Sequence, residues 1–262
     1  MHRRTKQTGR PNTPQNFRVK EFTDTTITYT WDEVAGVNYY LLYMSNRTTP
    51  RAVFTNEVTI DGLAFRTTYT ARVSAFRRGQ EGAKSGEVRQ KTLLPAPVIA
   101  RFLLGETYIT GTSIDEAGVT NCRIYRKGES VALLTGTITA GVLRIYVAGN
   151  VNIVGGAQYD IRAIDGNPNQ STSVPGMITT ITAELAKITL NPVVASAGTV
   201  SGTTENNGQV RISVNGVNKN VFTASAIGEY SGAISGITVG STVKAESKVG
   251  SIYPSYAERV AT

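Results

Sequence analysis

LAFRTTYTARVSA, residues 63–75, carries the pattern from which the rest of the chain is read. Tyr69, Val73 and Ala75 recur at even spacing and share one side of an extended chain, while Thr and Arg fill the other side. That period of two, rich in β-branched and aromatic residues, describes a strand with one face in a core. Asp61 and Gly62 punctuate the segment before it, and Leu63 comes six residues ahead of Tyr69.

Similar segments lie on both sides. FRVKEF (Phe17–Phe22) and TITYTW (Thr26–Trp31) alternate apolar and polar residues, and NYYLLYMS (Asn38–Ser45), EVTIDGL (Glu57–Leu63) and GEVRQKTL (Gly86–Leu93) complete the set. Short strands at this spacing, broken by Gly, Asp and Pro, predict an antiparallel β-sandwich. With Pro11 and Pro14 leading in, Trp31 followed by Asp32, a third-strand Tyr at Tyr39 or Tyr40, the order L-x5-Y-x3-V-x-A and Ser85 in the last loop, residues 13–94 resemble a fibronectin type III domain. The resemblance implies a core built on Trp31, Tyr40, Leu63, Tyr69 and Val73. It also implies a tyrosine corner in which the Tyr69 ring packs while its hydroxyl bonds back to the main chain.

The remainder repeats itself. YITGTS (Tyr108–Ser113) aligns with TVSGTT (Thr199–Thr204), CRIYRKG (Cys122–Gly128) with VRISVNG (Val210–Gly216), and VGGAQYDIRAID (Val154–Asp165) with VGSTVKAESKVG (Val239–Gly250). Each Gly-Thr pair reads as a tight turn after an early strand, and each later Gly-Xaa pair as a hairpin into the last strands. The pattern resembles bacterial immunoglobulin-like repeats over 95–183 and 184–262. LLPAPV (Leu93–Val98) and TITAELAKIT (Thr180–Thr189) mark the joints. The expected architecture is all-β: a basic arm (1–12) and three tandem sandwiches in a rod of roughly 100 Å, at ~3.3 Å per strand residue.

Charge is unevenly placed. Arg3, Arg4, Lys6 and Arg10 give the first ten residues half of the formal charge of +8, with no acidic residue among them. The other 23 Lys and Arg face all 19 Asp and Glu, so the body is close to neutral and general nucleic-acid binding is not expected. Thr5–Asn16 lacks the apolar run of a secretory signal, and no stretch is apolar enough for a membrane helix. The chain is therefore expected not to be exported by that route or inserted in a membrane, and Met1 reads as a natural start.

Little in the sequence suggests chemistry, and no enzyme activity or cofactor is expected. His2 is the only histidine, which removes His-based triads and proton shuttles. Cys122, the only cysteine, falls in an alternating strand and reads as a core residue. Asp32-Glu33 and Asp115-Glu116 sit in turns and do not face each other as glycosidase carboxylates do. DGNPNQS offers Asp165, Asn167 and Asn169 at alternate positions, the opening of a calcium loop. Its sixth and twelfth places hold Gln170 and Gly176 where Gly and Glu are needed, so no metal is expected. Tyr29, Tyr39, Tyr40 and Tyr43 suggest a sugar-stacking stripe, but strand alternation puts Tyr39 and Tyr43 on one face and Tyr40 on the other, and one face must be core. Arg77-Arg78-Gly79-Gln80-Glu81 lacks the Arg-Gly-Asp order of integrin-binding members of the family.

What the resemblance implies is a structural or adhesive role. Immunoglobulin-like repeats of this kind recur in bacteriophage virion proteins and in bacterial surface adhesins. The first context predicts a capsid or tail component made in the host cytoplasm, docked on capsid or tail proteins through Arg3, Arg4, Lys6 and Arg10, and weakly holding host-surface glycans. The second predicts a bacterial cell-surface adhesin or the accessory carbohydrate-binding region of a secreted enzyme.

Overall fold

The computed structural model describes residues 9–166 and 174–262. Among these the only helical turn is a 3-10 segment at Ala195–Ala197, and regular structure is otherwise β. The chain divides into two compact units, Met1–Ala96 with Ile164–Met177, and Pro97–Ala163 with Ile178–Thr262.

The first unit is dominated by eight strands: β1 (Arg18–Phe22), β2 (Ile27–Thr30), β3 (Tyr39–Met44), β4 (Arg51–Val53), β5 (Glu57–Ile60), β6 (Thr68–Arg77), β7 (Gln80–Glu81) and β8 (Val88–Lys91). One sheet has the order β1-β2-β5, the other β4-β3-β6-β7 with β8 also on β6. The six longer strands fall where alternation predicts them. β4 and β7 carry too few residues to show a period. The core joins both sheets through Ile27, Tyr29, Trp31, Tyr40, Leu42, Leu63, Tyr69 and Val73. The Tyr40 ring meets the Trp31 ring edge-on at 5.2 Å, so Tyr40 faces inward while Tyr39, Leu41 and Tyr43 lie half-buried on the outer side. Pro11 and Pro14 are buried where the chain joins the sandwich.

The second unit begins with β9 (Val98–Ile99), β10 (Tyr108–Thr112), β11 (Asn121–Arg126), β12 (Ala132–Thr139), β13 (Val142–Tyr146) and β14 (Gln158–Asp165), followed by β15 (Val174–Pro175), which with the last two residues of β14 falls in the first unit, and β16 (Thr179–Thr182). They make one sheet of order β15-β14-β11-β12-β13-β10-β9, with β16 on β14. Its core includes Ile109, Cys122, Ile124, Leu143, Ile145, Tyr159 and Ile161. The last set is β17 (Thr199–Thr203), β18 (Gln209–Val214), β19 (Val217–Thr223), β20 (Glu229–Ala233), β21 (Thr242–Val249) and β22 (Ile252–Val260). It forms a pair β17-β20 and a sheet β19-β18-β21-β22 around Val200, Val210, Ile212, Tyr230, Val243 and Ala245.

The internal repeat has a structural counterpart. The β11–β12 ladder shifts register between Ile124 and Tyr125, and the β18–β19 ladder shifts at the aligned place, between Ile212 and Ser213. Gly111 and Gly202 also correspond, but not as turns. Both lie inside strands, β10 and β17. A Cβ on Gly111 would stand 2.3 Å from the Val98 carbonyl oxygen, and one on Gly202 2.2 Å from that of Thr189. The glycine is needed because a neighbouring main chain presses against it, not for conformational freedom. Gly156 and Gly240 do adopt positive φ, of 78° and 87°. They turn the chain into β14 and β21, neither of which pairs with the strand before it, so the turn they make does not close a hairpin.

Candidate functional site

The end of the basic arm and the hairpin of β6 and β7 come together on the first sandwich. Arg78 and Gly79 form the two-residue hairpin turn, with φ of 49° and 78°, the left-handed pair that suits the twist of an antiparallel ribbon. The Asn38 side-chain oxygen fixes the turn by accepting the Arg78 main-chain N–H at 2.9 Å. Arg77, mostly buried, donates to the Gly9 carbonyl. A Cβ on Gly82 would come 2.5 Å from the Pro11 carbonyl oxygen, so the arm's last residues lie directly against the hairpin.

Beside this contact, Glu81 accepts hydrogen bonds from the Tyr43 and Ser74 hydroxyls, each at 2.7 Å. These bonds, Ser74 first, hold the Glu81 carboxyl below its ordinary value. Burial and the bond to Glu81 push the Tyr43 phenol up to about 12. Lys84 places its ammonium 3.5 Å from the centre of the Tyr43 ring, a cation–π contact that keeps the lysine near the hairpin. Arg10, Gly79, Gln80, Glu81, Gly82 and Lys84 line an open depression of about 450 Å³.

On the far side of the same sandwich the Tyr69 hydroxyl accepts the Ala64 N–H at 2.9 Å. Leu63 and Tyr69 are buried in the same core as Trp31 and Val73. The Tyr69 ring thus packs in the core while its hydroxyl bonds the main chain, the geometry of a tyrosine corner. The fibronectin type III family model matches residues 12–91. Residues 12–91 are a fibronectin type III domain.

Solved structures similar to the chain include the FN1–FN3 domains of chicken CNTN1, at 13% identity over 97% of this chain and 99% of that one, with a TM-score of 0.29. The fn3 domain of human collagen alpha-1(XX) chain is 24% identical over 36% of this chain and 96% of that one, with a TM-score of 0.31. The FN5 domain of Drosophila Lar is 24% identical over 31% and 96%, with a TM-score of 0.27. No curated protein matches the chain.

Fibronectin type III domains generally serve as structural or adhesion-like modules, and the remaining candidate residues are consistent with that. Of the arm cations, Arg10 lines the depression beside the hairpin of the fibronectin type III domain, while Arg3, Arg4 and Lys6 lie outside the described residues. Asp165 binds Arg66 at 2.9 Å and also pairs with Lys91. Burial pushes its carboxyl up, but these two cations outweigh that and hold it below its ordinary value. With its oxygens engaged by cations, Asp165 is poorly placed to ligate calcium; Asn167 and Asn169 lie outside the described residues. No cluster of metal-binding side chains exists among the described residues. Cys122 is buried in the core, and burial raises its thiol to about 12, which disfavours the thiolate.

Lys84 and Ser74 were not singled out in the sequence, Tyr43 was weighed only as part of a tyrosine stripe, and Glu81 only as the end of a loop without the Arg-Gly-Asp order. The signal available was Arg78-Gly79 between two extended runs, which marks a hairpin. The short β7 hides the fact that Glu81 and Lys84 return beside Tyr43.

Proposed function

We propose that the chain is a non-enzymatic structural component of a bacteriophage virion, docked on a capsid or tail protein through its N-terminal arm while its β-sandwiches are displayed. The single observation that supports this reading most is the anchoring of the arm's last residues. Arg77 grips the Gly9 carbonyl and Gly82 accommodates Pro11, so Arg10 is held at one place on the fibronectin type III domain. A near-neutral body with half of its net charge at one end suits docking on an acidic protein surface better than wrapping nucleic acid. The repeats at 95–183 and 184–262, read as immunoglobulin-like, would then be the displayed part.

The test is deletion of residues 1–8, which removes Arg3, Arg4 and Lys6 and leaves Gly9 in place. The shortened protein is expected to keep the melting temperature of the full chain and to be missing from purified particles by mass spectrometry. Normal incorporation would sink the reading.

A second reading, a bacterial surface adhesin or accessory carbohydrate-binding region, is favoured by aromatic rings left in solvent. Phe54, Tyr146 and Tyr256 are 78%, 60% and 63% exposed. Phe54 adjoins the stacked pair Tyr39–Phe76, whose centres are 4.6 Å apart, and Tyr146 meets Tyr108 edge-on. Such rings can stack on sugars. A glycan array with wild-type protein and Phe54→Ala tests it, and binding that survives in the variant would exclude this ring.

A further inference from the structure

We propose that the hairpin tip and the arm's last residues form a binding site for an acidic peptide segment of the docking partner, with Arg10 and Lys84 as its cationic walls and the main chain of Gly79–Gly82 as its floor. This rests on the docking reading above and names the chemistry of the partner.

Three observations support it. The depression is open and lined almost entirely by polar groups, with exposed Arg10 and Lys84 on its walls and exposed Arg78 at the neighbouring turn. Its one carboxylate, Glu81, holds the hydroxyls of Tyr43 and Ser74 and feels the charge of Lys84. Arg10, Lys84 and Arg78 still outnumber it, so the local field favours carboxylates.

The backbone argues for a peptide. β7 is the last strand in the order β4-β3-β6-β7. The two-residue turn makes Arg77 and Gln80 the closing hydrogen-bonded pair, and the Gly82 N–H bonds the Ala75 carbonyl at 2.9 Å. By the alternation of an antiparallel ladder, the N–H and C=O of Glu81 between them point away from β6. An extended peptide can pair with that edge while its carboxylates meet Arg10 and Lys84.

The experiment titrates the full chain with a fluorescently labelled oligo-glutamate peptide at low ionic strength, followed by added salt. Wild-type protein is expected to bind saturably, with affinity falling as salt screens the contacts. Arg10→Glu and Lys84→Glu are each expected to weaken binding at least about tenfold, and Lys84→Gln by less. Lys20→Glu carries the same charge change on the opposite sheet, at a lysine paired with Glu57, and is expected to leave binding unchanged. No saturable binding by the wild type, or an equal loss in Lys20→Glu, overturns the site. Binding of dextran sulfate through Arg10 and Lys84 without binding of oligo-glutamate also overturns it, in favour of an anionic glycan. If the peptide fails to bind while residues 1–8 are still required in particles, the site falls and the docking reading stands. If the peptide binds as expected and no protein is found in particles, the site stands and the docking reading falls.

Discussion

Tyr69 and Tyr159 each accept a hydrogen bond from the main-chain N–H five residues upstream, from Ala64 at 2.9 Å and from Val154 at 2.7 Å. Tyr159 also donates to the Asn152 carbonyl at 2.8 Å. Tyr69→Phe strands one N–H near the core and is expected to cost about 1–2 kcal/mol in a urea melt, and Tyr159→Phe somewhat more. Tyr29 makes the opposite case. Its hydroxyl is buried without a partner among the described residues, and burial pushes it up to about 12. Tyr29→Phe is therefore expected to be neutral or to stabilise by up to about 1 kcal/mol. A loss as large as that of Tyr69→Phe would mean that the hydroxyl is hydrated. Tyr69 was legible because Leu63 and Val73 stand at fixed spacings around it. Tyr159 was not, because the repeat alignment set it against Lys244, whereas burial matches it with Val243. The choice between Tyr39 and Tyr40 was open for another reason. Alternation says which residues share a face, and only the packed Trp31 ring says which face is inside.

At the scale of elements, the glycines separate into two kinds that look alike in a sequence. Gly202 is pressed by the Thr189 carbonyl and the Tyr230 hydroxyl, at 2.2 and 2.7 Å from where a Cβ would lie. Gly202→Ala must push β17 away from its neighbour and is expected to cost about 1–3 kcal/mol. Gly86 has nothing within 4 Å and no positive φ. Gly86→Ala is expected to be neutral or slightly stabilising, through the unfolded chain. Urea midpoints of the two variants check the contrast, and equal effects would refute it. The Gly-Thr pairs were read as turns because close approach and left-handed turns both select glycine. The alignment of CRIYRKG with VRISVNG was legible, but the bulge that β11 and β18 share was not, because a register shift leaves no mark in the alternation of one strand. β4 and β7 were not, since two or three residues show no period. With β7 hidden, the site beside it was hidden too.

At the scale of the whole molecule, the second unit is held by a small ionic hub. Arg101 donates to Glu184 at 2.8 Å and to both oxygens of Glu205 at 2.8 and 3.0 Å, while the Lys187 main-chain N–H bonds Glu205 at 2.9 Å. Arg101, chiefly, and Lys187 together outweigh partial burial and hold the Glu205 carboxyl at about 2. A carboxyl depressed in the folded state stabilises at pH values above its unfolded value of ~4.3 and loses that contribution as pH falls through the folded value. The urea midpoint of this unit is therefore expected to fall between about pH 5 and pH 2, and Arg101→Ala is expected to flatten that dependence. An unchanged slope in the variant would show that other carboxylates set it. Close to the hub, the main chain at Gly105 touches Val249 and Gly250: a Cβ on Gly105 would lie 2.6 Å from the Val249 oxygen, and one on Gly250 2.1 Å from the Gly105 oxygen. The Leu104 N–H adds a bond to the Glu184 carbonyl at 2.8 Å. These contacts tie residues before β10 to residues after β16 and β21, so a fragment cut at 183/184 severs them. Replacing residues 97–183 or 184–262 alone by recombination would separate the arginine from its two acids and the facing glycines from each other, so a functional exchange is expected to need both as a single block.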